Sequence, residues 1–154
     1  MFEWAKPAHC TGDLIWAWSS AGNVPSGAVH GGRDADGGTI YVGRATHNGD
    51  VLPAKVCPNH GCAFVCWNGE EITKLEYEVL VSEHTAWKDA EGGDVPSEAI
   101  QIGQTRDGEP LYVGRTLIEG TLTIGKVHPS HGVLYVPYEG KEENFSNYEV
   151  LILL

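Results

Sequence analysis

The sequence predicts an all-β protein made of two tandem antiparallel β repeats that pack with pseudo-twofold symmetry. Residues 24–80 and 95–151 align without a gap at an offset of 71, with 24 identities in 57 positions, as expected of a tandem repeat. Short runs rich in β-branched and aromatic residues alternate with glycine-containing turns, and capped helical periodicity is absent. Copies of this length bury little apolar surface alone, so we expect them to share one compact unit.

Each copy is predicted to begin with a hairpin and to continue with two further strands. The runs 39–45 and 111–116 each follow an Asp-Gly pair, which is a strong hairpin signal. Runs 62–67 and 133–138 follow a His-Gly pair. The third pair of runs, 77–81 and 148–152, closes each copy, and residues 70–75 are expected to form at most a helical turn. Turns recurring roughly every ten residues favour an antiparallel arrangement.

The repeat register divides the chain into four segments. They are an N-terminal extension (1–15), the first repeat (16–81), a connection (82–94) in which charge and glycine accumulate, and the second repeat (95–154).

The charge balance excludes several classes of partner. The formal net charge is -11, with only ten Lys and Arg, whereas nucleic acids and anionic membranes attract surplus positive charge. The first 13 residues have no apolar run of signal-peptide length, and no stretch is long enough to span a membrane. We therefore expect no membrane insertion and a cytoplasmic location, with vesicle association or release without a signal peptide as alternatives. The four cysteines are then expected to be reduced.

Three motifs recur in both copies: YVGR, K-V-x-P-x-H-G and YEVL. Their combination resembles the DM-nine repeat family, which includes invertebrate mannose-binding lectins, and the likeness covers nearly the whole chain beyond Asp13. The resemblance implies an all-β pseudo-twofold pair that is often a homodimer, has no enzymatic activity and needs no cofactor.

The resemblance also implies a sugar site in the first copy. In mannose-binding members of the family, an Asp before the first hairpin and the Lys of a P-x-K segment contact the sugar, and these positions match Asp34 and Lys55. The residue types suit the task, because a carboxylate accepts hydrogen bonds from vicinal hydroxyls and an ammonium donates to their oxygens. Asp36 is a weaker candidate, since an Asp before Gly is more often a turn former.

The second copy departs from this pattern. Lys126 is retained at the position of Lys55, but Thr105 replaces Asp34 and leaves Asp107 as the nearest carboxylate. A neutral hydroxyl accepts more weakly than a carboxylate. We therefore expect the second site to be weak, altered or lost.

The rival chemistry is metal binding. Cys57, His60, Cys62 and Cys66 lie within ten residues and could hold zinc. Two of the cysteines replace apolar residues of the other copy, however, and could simply pack as small hydrophobes, so we expect no metal. No catalytic motif is present, and we expect no enzymatic activity.

Other residues kept in both copies are expected to be structural. Arg44 and Arg115 lie in the middle of predicted strands and need carboxylate partners. The candidates are Glu71 and Glu142, or Glu78 and Glu149. His60 and His131 could line the site, but hydrogen bonding to the backbone of their turns is the role we expect.

The sequence therefore predicts a carbohydrate-binding, lectin-like recognition protein for mannose-type glycans, in a setting such as innate immune recognition. The alternative is an intracellular or vesicle-associated scaffold that binds another protein and no sugar. Its aromatic surface would include Trp4, Trp16, Trp18 and Trp67.

Overall fold

The computed structural model of the protein describes residues 14–154. Expectations for Trp4 and most of the N-terminal extension therefore lie outside the described residues. Between Leu14 and Leu154 the regular elements are fourteen β-strands and two short 3-10 turns, with no α-helix, and the all-β fold class is confirmed. No helix in this part of the chain has the length and apolar character needed to cross a membrane.

Each copy contributes seven of these strands. The first copy contains β1 (Ile15–Ser20), β2 (His30–Arg33), β3 (Thr39–His47), β4 (Asp50–Cys57), β5 (Cys62–Trp67), β6 (Glu70–Lys74) and β7 (Glu76–Val81). The second contains β8 (Thr85–Glu91), β9 (Gln101–Gln104), β10 (Pro110–Ile118), β11 (Thr121–His128), β12 (Val133–Tyr138), β13 (Lys141–Phe145) and β14 (Asn147–Leu153). The 3-10 turns, Pro58–His60 and Pro129–His131, connect β4 to β5 and β11 to β12.

Two segments differ from the expectation. Segment 82–94, expected to connect the copies, contains β8, which pairs with β14 as β1 pairs with β7. Segment 70–75 contains β6 instead of a helical turn. The Asn68-Gly69 turn before β6 has positive φ at both residues, the geometry that joins the two strands of a tight hairpin. Side-chain pattern alone did not indicate this strand because β6 is largely polar.

The strands of the two copies are interleaved. β2 pairs with β11 through Arg33 and Leu122, and β4 pairs with β9 through Val51 and Gln104. Together with the hairpins β3–β4 and β10–β11, these pairings close a ring of six strands. β6 and β13 also pair across the copies. The pseudo-twofold relation is therefore part of the backbone hydrogen bonding itself.

Glycine permits the close approach at these junctions. A Cβ atom added at Gly32 of β2 would overlap the carbonyl oxygen of Leu122, and one added at the equivalent Gly103 of β9 would overlap that of Val51. Any side chain at either position would push the copies apart, which explains why both are glycine.

The apolar core joins the copies in the same way. One cluster packs Val29, Ile40 and Val42 of the first copy against residues of the second, including Ile102 and Ile124. Most of the remaining core forms one cluster per copy, with Leu111 of the second copy packed into the cluster of the first. Neither copy therefore has a separate and complete core.

The two arginines in the middle of strands pair with Glu78 and Glu149, one of the two expected sets of carboxylate partners. The Nε atom of Arg44 lies 2.9 Å from Glu78 Oε1, and that of Arg115 lies 2.7 Å from Glu149 Oε1. Burial lowers the pKa of Arg44 to about 10, against the opposing hydrogen bond and charge of Glu78. The other two candidate carboxylates, Glu71 and Glu142, lie beside Lys55 and Lys126 instead.

The tryptophans of the expected aromatic surface have different surroundings. The Cζ atom of Arg44 lies 3.8 Å from the ring centroid of Trp16, so the guanidinium stacks on the indole. The Cζ atom of Arg115 lies 4.2 Å from the ring centroid of Trp87 in the same way. These contacts explain why both copies carry the residue. Trp18, in contrast, is about half exposed.

Candidate functional site

Lys55 occupies the centre of the predicted site in the first copy. It lies on β4, a strand buried along its whole length. Its Nζ atom donates a 2.6 Å hydrogen bond to the carbonyl oxygen of Pro137 and lies 3.4 Å from Glu71 Oε2. The ring centroids of Phe64 and Tyr138 are 5.4 and 5.9 Å from the ammonium. Because Pro137 and Tyr138 belong to β12, both copies build this site.

Asp34 lies in the turn between β2 and β3, where its backbone N–H donates to the Gly38 carbonyl at 2.8 Å. Its side chain is 19% exposed, and Oδ2 lies 3.3 Å from His60 Nε2. The pKa of the Cys57 thiol is raised to about 12, mainly by burial and to a smaller extent by the negative charge of Asp34, while the positive charge of Lys55 opposes the rise. Contacts connect the carboxylate to the ammonium: the His60 ring beside Asp34 meets the Phe64 ring with centroids 5.9 Å apart, and Phe64 lies beside Lys55. We call Asp34, Lys55, His60, Phe64 and Tyr138 the first-copy site.

Asp36 has the role of a turn former. Its Oδ1 atom accepts a 2.8 Å hydrogen bond from the backbone N–H of Gly38, a local bond typical of Asp in turns.

Lys126 is the equivalent of Lys55 in the second copy, but its ammonium has fewer partners. Nζ lies 3.1 Å from Glu142 Oε2 and 5.4 Å from the Tyr135 ring centroid. Within residues 14–154, no carbonyl oxygen accepts a hydrogen bond from Lys126 in the way that Pro137 accepts one from Lys55.

The turn of the second copy holds its carboxylate at another position. Thr105 Oγ1 accepts the backbone N–H of Glu109 at 3.1 Å. The Glu109 carboxylate accepts hydrogen bonds from the backbone N–H and hydroxyl of Ser130 at 2.8 and 2.7 Å, and lies 3.1 Å from His128 Nε2. Asp107, the carboxylate expected near Lys126, is exposed. The structure does not place it among the residues that line the cavity beside Lys126.

Sequence reasoning missed Glu109 because it compared Asp34 only with the residue in the same register. Glu109 stands in register with Gly38, and the backbones of Asp34 and Gly38, like those of Thr105 and Glu109, face each other across the turn. The exchange of a glycine for a carboxylate at this position was the signal that could have indicated it.

The two repeated histidines were expected to bond to turn backbone, and this expectation is wrong. The described contacts of His60 are with the Asp34 carboxylate and the Phe64 ring. His131 Nδ1 lies 2.9 Å from the Tyr135 hydroxyl, and its ring stacks on His128 with centroids 3.7 Å apart. Burial, followed by the charge of His131, lowers the pKa of His128 against the opposing effect of Glu109.

A cavity of about 500 Å³ opens beside Lys126. It lies between the copies. We call it the second-copy cavity. The residues that line it include Asp50, Trp67, Lys126, His131, Tyr135 and Glu142.

The candidate zinc ligands do not form a metal cluster. Among residues 14–154, no group of three or more His, Cys, Asp and Glu side chains is placed to hold a metal ion. Cys57 and Cys62 face each other across β4 and β5, and Cys66 points its Sγ at the Tyr135 carbonyl, 3.5 Å away. Burial raises the pKa of all three thiols, which disfavours the thiolate that zinc binds.

Comparison with known proteins places the chain in a family. A model of the DM9 repeat matches residues 7–49 and 34–145. The chain is 30% identical to Natterin-3 of Thalassophryne nattereri over 153 residues and 31% identical to Natterin-4 over 144. These alignments cover 96% and 90% of this chain but only 38% and 34% of the relatives, so the chain spans little more than a third of their length.

One solved structure shares the fold. The crystal structure of the nematode sperm cell motility protein MFP2B superposes with a TM-score of 0.61 over 92% of this chain and 45% of that one. At 14% sequence identity this similarity concerns the fold alone. With the repeat register, the paired β architecture and the family match in agreement, the chain belongs to the DM9 repeat family, as a β-rich unit built from two copies.

Proposed function

We propose that the protein is a carbohydrate-binding recognition module that binds mannose-type glycans through the first-copy site. The observation that carries the proposal is a run of contacts between two charged groups, the Asp34 carboxylate, 19% exposed, and the Lys55 ammonium, whose side chain is 6% exposed. Asp34 lies 3.3 Å from His60, the His60 ring meets Phe64 with centroids 5.9 Å apart, and the Phe64 ring lies 5.4 Å from the ammonium. A charge pair beside aromatic rings matches the needs of a sugar, which presents paired hydroxyl groups on one side and an apolar face on another.

The hydrogen-bonding capacity of both groups supports this proposal. Lys55 has three N–H donors, and its contacts with Pro137 and Glu71 engage two of them. The third can donate to a sugar oxygen. His60 approaches only the Oδ2 atom of Asp34, so the carboxylate can still accept from a pair of vicinal hydroxyls. Phe64 and Tyr138 supply the apolar surface.

Titration calorimetry with mannose, galactose and glucose tests the proposal. We expect mannose-selective heat that is insensitive to EDTA and about tenfold weaker binding in Asp34→Asn, because a charge-assisted hydrogen bond contributes roughly 1 to 2 kcal/mol more than a neutral one. Asp89→Asn, an exposed change on β8, is the matched control and should bind like the wild type. Absence of heat with all three sugars, or full affinity in Asp34→Asn, would overturn the proposal.

The proposal includes a non-enzymatic homodimer that acts in recognition of microbial or cellular glycans. Two copies of a weak site in one assembly raise the apparent affinity for a multivalent surface. The charge of -11 supports a partner that is not a polyanion. Light scattering coupled to size exclusion measures the oligomer: a mass near 16.6 kDa would contradict the dimer.

A protein-binding scaffold remains the second candidate, and one surface favours it. A cavity of about 590 Å³ lies between Trp18 and Leu75, both of which expose much of their apolar surface. Trp18→Ala would then abolish binding to a protein partner while Asp34→Asn would leave it intact. The reverse pattern, with sugar binding lost only in Asp34→Asn, favours the lectin function.

A further inference from the structure

We infer that the second-copy cavity is a separate saccharide site whose carboxylate is Asp50 of the first copy. The inference rests on the proposed function, because it assigns the same ligand class to another place in the molecule. It also replaces the expectation that Asp107 would serve Lys126.

Unsatisfied polar atoms point to a ligand in this cavity. Lys126 is buried, yet its ammonium contacts only Glu142 among the described polar groups. The buried His128 Nδ1 atom has no hydrogen-bond partner among residues 14–154. Buried polar groups are normally satisfied. The remaining N–H donors of Lys126 and the His128 Nδ1 atom, both on residues that line an open volume, therefore indicate that a hydroxylated molecule completes them.

Asp50 supplies the charge that the turn of the second copy does not. Its Oδ1 atom accepts the backbone N–H of Arg106 at 2.8 Å, which fixes the side chain and leaves Oδ2 with no described hydrogen bond. Asp50 stands in register with Thr121, so the first-copy site has no carboxylate at this place. Each site therefore has a lysine at the same repeat position, Lys55 in one and Lys126 in the other, but the two sites take their carboxylates from different elements.

Trp67 supplies the aromatic wall. Its ring meets His47 edge-on, with centroids 5.2 Å apart at 71°, and this contact holds its orientation. In the first-copy site the equivalent wall is Tyr138, so the second cavity offers the larger aromatic face.

The chemistry selects a neutral sugar. The cavity, at about 500 Å³, falls within the usual range of small-molecule sites, roughly 300 to 1,000 Å³. Asp50 and Glu142 outnumber Lys126 in charge, which disfavours anionic sugars. A hexopyranoside can place vicinal hydroxyls on Asp50, an oxygen on Lys126 and its C–H face on Trp67.

Two-dimensional ¹⁵N–¹H NMR of the full chain, titrated with methyl α-mannoside, separates the two sites. The Trp67 indole N–H and the Gly69 amide report on the second-copy cavity, and the Gly37 and Gly38 amides report on the first-copy site. Both sets should shift in the wild type and in the control Asp89→Asn. Asp50→Asn should raise the sugar concentration needed for the second set about tenfold, because an amide replaces the carboxylate, and leave the first set unchanged. Asp34→Asn should do the reverse.

Asn at position 50 can keep the bond to the Arg106 N–H, so Asp50→Asn should fold. Trp67→Phe provides a second variant that weakens the same set of shifts without touching a charge, with Gly69 then reporting alone. Shifts confined to the first set would overturn the inference and leave the proposed function standing. Equal shifts of the Gly69 amide in wild type, Asp50→Asn and Trp67→Phe would overturn it as well. If neither set moves, the proposed function fails and the inference falls with it.

Discussion

Burial, rather than distance, should decide which ion pair stabilises this fold, and two glutamates of the second copy test that statement. Glu149 lies closer to its cation, at 2.7 Å from Arg115, than Glu142 does at 3.1 Å from Lys126. The first pair is partly solvated, with side chains 20% and 38% exposed. The second pair is almost completely buried, with side chains 8% and 9% exposed.

Replacing each glutamate by glutamine removes the charge and keeps the volume. Glu142→Gln can retain the hydrogen bond from the Gly69 N–H to Oε1, so the loss is mainly electrostatic. Breaking a buried pair from one side leaves the other charge desolvated, and we expect a loss of about 3 kcal/mol in the free energy of unfolding. For a partly exposed pair we expect about 0.5 kcal/mol. At about 2 to 4 °C per kcal/mol for a chain of this size, the larger loss lowers the melting temperature by about 6 to 12 °C.

Urea unfolding followed by tryptophan fluorescence measures both losses, with thermal melts as an independent check. Equal losses in the two variants, or a larger loss in Glu149→Gln, would refute the reasoning. A loss below about 1 kcal/mol in Glu142→Gln would show that water in the adjacent cavity solvates Lys126.

Three further outcomes follow from the structure. Burial lowers the pKa of His128 and His47 below the unfolded value of 6.5, so the unfolded chain binds more protons below that value. The free energy of unfolding, measured by urea titration, should therefore decrease as the pH is lowered from about 7 to 5.5, and the decrease should be smaller in His128→Gln. Gly32→Ala and Gly103→Ala should each prevent or severely weaken folding, as judged by circular dichroism, whereas Ser97→Ala at an exposed turn should not. In a Cys10→Ser background, Cys57 and Cys66 should resist a disulfide reagent until urea is added, because burial raises both thiol pKa values; rapid reaction in the native state would contradict this.

The sequence predicted what depends on local pattern. Asp-Gly and His-Gly turns mark the hairpins, because a tight turn needs specific residue types at adjacent positions. The repeat register and the family resemblance brought Asp34 and Lys55 forward, and in the structure contacts through His60 and Phe64 connect the two.

What lay beyond prediction depends on pairing between the copies. Pro137 accepts from Lys55, and Asp50 lines the cavity of Lys126, yet neither is related to its lysine by spacing or motif. Comparing equivalent positions of the two repeats shows which residues they have in common. It does not show which residues of one copy contact the other. The β6 strand was missed for a different reason, since its polar pattern gives no alternation to detect.

The interleaving of β2 with β11 and of β4 with β9 has a consequence for how such chains can change length. A gene segment encoding one copy would yield strands whose partners are missing, with a half-open ring and an exposed core. A segment encoding two copies would yield a closed ring. A chain with one copy could close the ring only by pairing with a second copy, so the structural unit of this architecture is the pair of repeats, although the unit visible in the sequence is the single repeat.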